Sequence, residues 1–374
     1  MNSVFNKTKQ LFDIPSDTVY LDGNSLGPPT KMTSEKVCAL IERKWAKLLV
    51  KGWNEDNWID KPKHVGNKIA KLIGAKDNTV VVGDTLSVKT YQALYAAIKL
   101  QKKRNVILSD TGNFQSDLYI AMGLIESFNQ KYELKVVKPE DVAEAMTDEI
   151  GVLFLTEVDY RTGRKHDMSR LTEKARKLGI ITIWDLAHSV GILPINLELL
   201  QVDFAVGCTY KYLNGGPGSP AFIYIAPKHH NTAQNPIKGW LGHSSPFSFL
   251  NTYHPAPGVE KMQIGTPPVI AITALEASLD IFSEIDIKAV RQKSIELTDL
   301  FIIETRKKNP MLELISPDKA EERGAHVSYR FKNGYAVVRC LINHGVICDF
   351  RVPDIMRFGF NPLYINESDV RKAS

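Results

Sequence analysis

Between about residue 78 and residue 226 short apolar runs alternate with stretches of helix length, and this alternation constrains the fold more than any other feature. TVVVG (79–83) precedes a helical stretch through Lys99, and NVILSD (105–110) precedes another that begins near Gln115. ELKVV (133–137), IGVLFLTEV (150–158) and IITIWDLAH (180–188) continue the series, with LTEKARKLG (171–179) reading as an amphipathic helix stopped by Gly179. Runs of Val, Ile, Leu and Phe without alternation suit strands buried on both faces, and strands alternating with helices imply right-handed crossovers in a mostly parallel α/β sheet. FAVGCTY (204–210) and AFIYIA (221–226) are separated only by a Gly/Pro loop, too short for a helical crossover, so these two are expected to run antiparallel.

The flanks read differently. A long helical pattern (271–307) is followed by HVSYRF (326–331), a helix around AVVRCLINH (336–344) and a strand-like GVICDF (345–350). We expect a large domain over 61–274 and a small α+β domain over 275–374, with residues 1–60 contributing to the latter. The end, NESDVRKAS, reads as a helix that stops after barely a turn and leaves an apolar face uncovered.

Composition narrows the function classes. The formal charge of +5, from 47 basic and 42 acidic side chains, is a weak bias over 374 residues. Basic clusters such as Lys102-Lys103-Arg104 lack interleaved aromatics, which argues against a nucleic-acid partner. Cys38, Cys208, Cys340 and Cys348 form no C-x-x-C pair, so neither a metal site nor a disulfide framework is indicated. MNSVFNKTKQLFDIPSD is too polar for the apolar core of a signal peptide, and no apolar run approaches the ~18 residues of a membrane span. A cytoplasmic protein without a membrane partner is expected.

The chemistry centres on DFAVGCTYKYLNGGPGSP (203–220), which sets Lys211 between Tyr210 and Tyr212. A solvated loop lysine is the plain reading. A P-loop lysine is excluded, because here the glycines follow the lysine and lead into a strand. The remaining reading is an amine that forms a Schiff base with a carbonyl cofactor. That reading needs a carboxylate to keep a pyridine nitrogen protonated, and TIWDLAHSVG (182–191) supplies Asp185 at a strand end, with His188 three residues on. Asp185 could instead cap a helix, and His188 could be structural. A cofactor phosphate suits the start of the helix in TLSVKTYQAL (85–94), where Leu86 and Ser87 would meet it, although Thr85 or Ser87 can cap that helix as well. Phe114, in GNFQSDL, offers a ring face or is ordinary core.

With Asp185, His188 and Lys211 in hand, the sequence closely resembles the kynureninase family, fold-type I pyridoxal-phosphate enzymes of the aspartate aminotransferase superfamily. YLDGNSLGPP (20–29), WDLAHSVG, TYKYLNGGPGSPAF (209–222), LTEVDYRTGRKHDM (155–168) and RFGFNPLY (357–364) carry the resemblance across nearly the whole chain. It implies a large, mostly parallel seven-stranded sheet with a small α+β domain, and hydrolysis of L-kynurenine to anthranilate and L-alanine. 3-Hydroxykynurenine is a further candidate substrate, and the reaction serves tryptophan catabolism and NAD biosynthesis. Lys211 would then hold pyridoxal 5′-phosphate covalently and Asp185 its ring nitrogen. Phe114 would stack on the ring near Asp117, Leu86, Ser87 and Tyr210 would hold the phosphate, and Thr156 and His188 would lie by the ring. Trp240 and Thr266 match positions that reach the phosphate from the partner subunit of a homodimer, and Arg357 matches the clamp for the substrate α-carboxylate. Trp53 and the Gly23–Gly27 opening, with Asn24 and Ser25, would line the aryl end of the substrate pocket, although Trp53 can equally be ordinary core, and Tyr210 is the candidate acid/base. FQSD stands where the family has FPTD, Lys89 replaces a usual Asn, and the family runs on past PLY into a further helix that this chain is expected to lack, so that the small domain reads as truncated.

Three rivals differ in what they require. A cysteine desulfurase needs a reactive, exposed cysteine on a mobile loop, whereas Cys208 precedes the lysine in a strand-like run and Cys340 and Cys348 fall in helical and strand-like patterns. An aminotransferase would share the cofactor core. An inactive cofactor-binding homologue would keep the fold without the turnover.

Overall fold

The structure, a computed structural model, describes residues 2–374. Seven strands form one sheet: β1 (Val80–Val82), β2 (Val106–Asp110), β3 (Glu133–Val137), β4 (Ile150–Thr156), β5 (Ile181–Asp185), β6 (Phe204–Gly207) and β7 (Phe222–Ile225). Their spatial order is β1-β7-β6-β5-β4-β2-β3. The pairs β3–β2, β2–β4, β4–β5 and β5–β6 are parallel, whereas β7 runs antiparallel to both β6 and β1. The short Gly/Pro loop therefore acts as expected, as a turn between antiparallel neighbours.

The central strands are buried along their whole length, which is why they read as unbroken apolar runs. On one face Ile107, Phe154, Ile183, Val206 and Ile223 pack against Ala93, Leu94 and Ala97 of helix α1 (Leu86–Leu100) and Ala121 and Leu124 of α2 (Gln115–Ser127). On the other, Leu155, Trp184 and Phe222 join Leu171 and Ala175 of α3 (Met168–Lys177). The buried Trp184 donates its indole N–H to Thr172 Oγ1 at 3.0 Å, so its one polar group is satisfied inside the core.

The helical pattern at 271–307 resolves into two helices rather than one. Val269–Leu279 gives way to a tight turn, and α4 (Ile287–Lys308) restarts behind Asp286, whose carboxylate accepts the Lys288 N–H at 2.9 Å. An Asp that caps competes with helix continuation, and it does so here. Against α4 lies a second, antiparallel sheet of β8 (Glu313–Leu314), β9 (His326–Arg330), β10 (Asp349–Arg351) and β11 (Ile355–Gly359), in the order β10-β11-β9-β8. Phe301 of α4 meets Phe358 and Phe360 at centroid distances of 4.9 and 5.0 Å. Helix α5 (Gly334–Asn343) falls where a helix is expected. GVICDF is not one strand: Val346–Ile347 pairs in parallel with Val19–Tyr20, and the chain then bends into β10.

The segment after Tyr20 links the two sheets. Leu21 N–H donates to Ile347 O, Gly359 N–H donates to Leu21 O, and Gly27 N–H donates to Tyr210 O, each at 2.7 Å. At the end of the chain Asn366 and Asp369 form a reciprocal capping box that opens α6 (Glu367–Ala373), a helix of seven residues rather than barely a turn. Val370 and Ala373 are buried on its inner face, toward α4. A Val370→Ala substitution should cost about 2 kcal/mol in denaturant unfolding. A loss too small to measure would show α6 to lie outside the cooperative unit.

Candidate active site

All four parallel pairings bring strand C-termini to one edge of the large sheet, the edge at which open α/β sheets bind ligands. β6 ends at Gly207, and the chain then turns, so Lys211 stands four residues beyond the strand rather than at its end. The turn is tied by Thr209, whose hydroxyl lies 2.7 Å from both Ser219 Oγ and Pro220 O, and by Gly215 N–H donating to Thr209 O at 2.9 Å. Gly216 and Gly218 take φ values of +90° and +73°, where a side chain would be strained. A Cβ at Gly27 would fall 2.2 Å from the Lys211 carbonyl oxygen, so the GNSLG opening needs glycine there to lie on the lysine turn.

A cavity of about 170 Å³ opens at this edge. It brings together Asn24, Ser25, Leu86, Phe114, Thr156, Asp185, His188, Tyr210, Lys211 and Arg357, ten of the residues singled out from sequence. Tyr160, Ala187 and Arg351 complete the lining. Asp185, the last residue of β5, is buried and accepts the Ala187 N–H at 2.8 Å. Burial raises its pKa, and the charge of Lys211 opposes that shift. Asp117, in the first turn of α2, lies outside the lining, buried beside Asp185. Burial, and then the neighbouring carboxylate, hold its carboxyl well above the usual range, so Asp117 is the protonated member of the pair.

Lys211 Nζ lies 2.8 Å from His188 Nε2. Burial, reinforced by the Lys211 charge, holds the His188 imidazole well below its ordinary pKa, so the ring is neutral and its Nε2 accepts from the lysine. His188 Nδ1 and both ring nitrogens of His326 are buried without a side-chain or backbone partner, and the two rings stand 5.6 Å apart. Tyr210 is pushed up, first by the Cys208 thiol and then by burial, so its phenol stays protonated. Phe114 is not core: it is 45% exposed and meets Tyr160 edge-on at 5.1 Å.

The N-terminus of α1 adjoins the lysine, with Leu86 in the cavity lining. Thr85 caps α1 by accepting the Val88 N–H at 3.4 Å. Ser87 Oγ lies 3.4 Å from Ser116 Oγ, so the positive ends of α1 and α2 converge there. Lys89 is wholly buried; its Nζ bonds Met262 O at 2.8 Å, and Gln92 Oε1 and Asp84 Oδ2 at 3.0 Å, tying α1 to the segment that leads to Thr266.

Arg357 sits in β11 directly across from Asp349 in β10. Its Nε donates to Asp349 Oδ1 at 2.7 Å and its Nη2 to Asp349 Oδ2, while Nη2 also reaches Ser25 Oγ at 2.9 Å and Nη1 reaches Tyr160 O at 2.5 Å. Burial would raise the Asp349 carboxyl, but the hydrogen bonds and charge of Arg357, with Arg351, hold it below the usual range. Burial and then the Asp349 charge push Asp22, close by, up to about 6.

Three residues singled out from sequence stand apart from the cavity in the single chain. Trp53, expected at the pocket's aryl end, packs edge-on against Trp58 at 5.6 Å and shares with Thr266 a separate apolar hollow that Leu40, Trp45 and Ile270 also line. Trp240 is 39% exposed against the still more exposed Phe247. Asp349, Arg351, Tyr160 and His326 were not singled out. The i, i+2 spacing of Asp349 and Arg351 in a strand-like run was the available signal. Tyr160 was quoted only as part of a motif.

A family model for the kynureninase C-terminal domain matches residues 290–374. A kynureninase of Deinococcus radiodurans is 44% identical over 97% of this chain and 90% of its own length, and one of Burkholderia pseudomallei is 41% identical over 98% and 89%. The chain belongs to the kynureninase family. Its fold is shared more widely. A cysteine desulfurase of Thermococcus onnurineus superposes with a TM-score of 0.83 at 18% identity over 98% of this chain and 95% of that one, and the Escherichia coli desulfurase CsdA with 0.82 at 18% over 99% and 96%. Within the kynureninase family the cofactor is pyridoxal 5′-phosphate, and the residues present here fit it: an amine, a buried carboxylate, an accessible ring and two converging helix N-termini. No cysteine lines the cavity. Cys208 and Cys348 are buried, with the Cys208 thiol pushed up by that burial, and the exposed Cys38 and Cys340 lie within helices rather than on a loop, so the arrangement a desulfurase needs is not present among the described residues. Among the described residues no group of side chains suits a metal ion, and no helix is long and apolar enough to cross a membrane.

Burial depresses His326 to about 3. Below about 6.5 the unfolded chain takes up a proton at this residue that the folded chain refuses, so the contribution of His326 to stability is full above that pH and falls by about 1.4 kcal/mol per unit as pH drops toward 3. His326→Gln should flatten that fall in pH-dependent denaturant melts, and an unchanged slope would show His326 to be protonated in the fold.

Proposed function

We propose that this chain hydrolyses L-kynurenine to anthranilate and L-alanine, with pyridoxal phosphate held on Lys211. The observation that carries the reading is Lys211 hydrogen-bonded to a neutral His188 in a cavity that also holds Asp185 and Arg357. The bound cofactor supplies an electron-withdrawing ring that stabilises negative charge next to the substrate's reacting carbons.

The side chains divide the remaining work. Asp185, whose carboxyl the Lys211 charge and the Ala187 N–H hold lower than burial alone would, would keep a proton on the ring nitrogen, and protonated Asp117 beside it adds no second negative charge. Phe114 would cover one ring face, Thr156 and His188 would lie near the ring, and Leu86, Ser87 and Tyr210 would hold the phosphate with the two helix N-termini. Lys211 Nζ, as a free amine, would accept the substrate's α-proton. Neutral His188 Nε2 is its hydrogen-bond acceptor and keeps the amine oriented. Water would add to the γ-carbonyl with proton transfer at the Tyr210 hydroxyl, which is protonated and positioned beside the lysine. The Cβ–Cγ bond then breaks, the acyl carbon leaves with the added oxygen as anthranilate, and Cβ takes up a proton to give L-alanine. Arg357 holds the α-carboxylate through the edge that Ser25 now occupies, and Asn24, whose buried amide has no protein partner, is a further contact.

The exposed position of Trp240 and the apolar hollow around Thr266 and Trp53 support a homodimer in which one subunit completes the phosphate site of the other. The division into 61–274 and 275–374, with residues 1–60 joining the latter, is part of the same reading, supported by the pairing of Val19–Tyr20 with Val346–Ile347. Release of anthranilate from L-kynurenine by the cofactor-loaded protein tests it. Lys211→Ala should abolish release, and Tyr210→Phe should lower turnover roughly a hundredfold or more. Normal turnover and pH dependence in Tyr210→Phe would remove the acid/base role, and no release from the unaltered chain would remove the activity.

A further inference from the structure

We propose that Arg351 is a second carboxylate-binding residue, a movable partner to the fixed Arg357, so that the substrate's α-carboxylate is held between two guanidiniums. The inference rests on the reading of the site as one that binds an amino acid, and it deepens that reading.

The donor inventory of Arg357 motivates it. A guanidinium has five N–H groups. Nε and one Nη2 hydrogen serve Asp349, the other Nη2 hydrogen serves Ser25 Oγ, and one Nη1 hydrogen serves Tyr160 O. A single Nη1 hydrogen remains, so Arg357 alone grips a carboxylate bidentately only by giving up Ser25. Its side chain is 2% exposed and pinned from three directions, which makes it a fixed point rather than an adaptable arm.

Arg351 is the opposite. Two residues along β10 from Asp349, it projects to the same side of the strand. It lines the cavity with its side chain 44% exposed, and β10 is the edge strand of its sheet. Its Nη2 donates to Asp349 Oδ2 at 2.7 Å and stands 3.4 Å from Ser25 Oγ. Among the described residues its Nε and Nη1 have no protein acceptor. Asp349 and Asp22 already face the two arginines, so charge alone does not call for an anion. Unused hydrogen-bonding capacity at the cavity wall does. An arriving carboxylate accepts from Arg351 on one side and from the Nη edge of Arg357 on the other, while Asp349 stays with Arg357 as the residue that positions it.

Two readouts on the cofactor-loaded protein test this, with Arg351→Gln and Arg351→Lys. For L-kynurenine, Arg351→Gln should raise KM about tenfold or more with kcat within about threefold, and Arg351→Lys should recover part of the loss. Independently of turnover, calorimetry should compare the deaminated analogue of kynurenine, which keeps the carboxylate, with its primary amide. The unaltered protein should prefer the carboxylate, and Arg351→Gln should narrow that preference about tenfold. A merely structural role would weaken both ligands alike. An unchanged preference in Arg351→Gln, or no preference in the unaltered protein, overturns the proposal even if kynurenine is hydrolysed. A preference that depends on Arg351 in a protein that releases no anthranilate supports the proposal and removes the reaction assigned above.

Discussion

Asp185 is an acid set in a place where charge is expensive. It is buried at the C-terminal end of a central strand, and burial alone would drive it toward the neutral acid. The Lys211 charge and the Ala187 N–H oppose that, and the protonated Asp117 beside it adds no second negative charge. Much of the surrounding structure serves to keep that carboxylate dry and its neighbours in register.

The register comes from two sheets that meet through one short segment. Residues 19–27 pair with the C-terminal part at one end and close onto the lysine turn at the other, through Gly27 and Tyr210. Gly23 and Gly27 are small for a packing reason. A Cβ on the first would collide with the Tyr364 hydroxyl, and on the second with the Lys211 carbonyl. The cavity is thereby assembled from residues more than 300 positions apart, with Ser25 and Arg357 in direct hydrogen-bond contact. Lys89 shows how a departure from the family pattern can be absorbed. It is wholly buried and fully bonded, and it fastens α1 from behind.

The wall of the cavity separates rigid from adaptable groups. Arg357 is pinned by Asp349, Ser25 and Tyr160, while Arg351 and Phe114 remain partly exposed. Rigid donors define where a ligand carboxylate can sit, and exposed ones adjust to it at little cost in packing. The exposed Trp240 and the hollow around Trp53 and Thr266 lie away from the cavity, on surfaces that a single chain leaves uncovered.

What the sequence determined by itself was local and periodic. Unbroken apolar runs became the buried strands β4, β5, β6 and β7, the short Gly/Pro loop forced the antiparallel turn, and Asp185, His188 and Lys211 stood out by type and spacing. The helical pattern at 271–307 was overextended because Asp286 can either continue a helix or cap a new one, and only packing chooses. The tertiary structure alone decided which polar groups find one another. Asp349 faces Arg357 through strand register, Tyr160 offers Arg357 a carbonyl from a distant hairpin, and His326 comes to face His188 across two sheets. Hydrogen bonds reach only about 3 Å and are indifferent to separation along the chain. Pairings of this kind leave no trace in local spacing, and they exist only once the apolar core has brought the strands together.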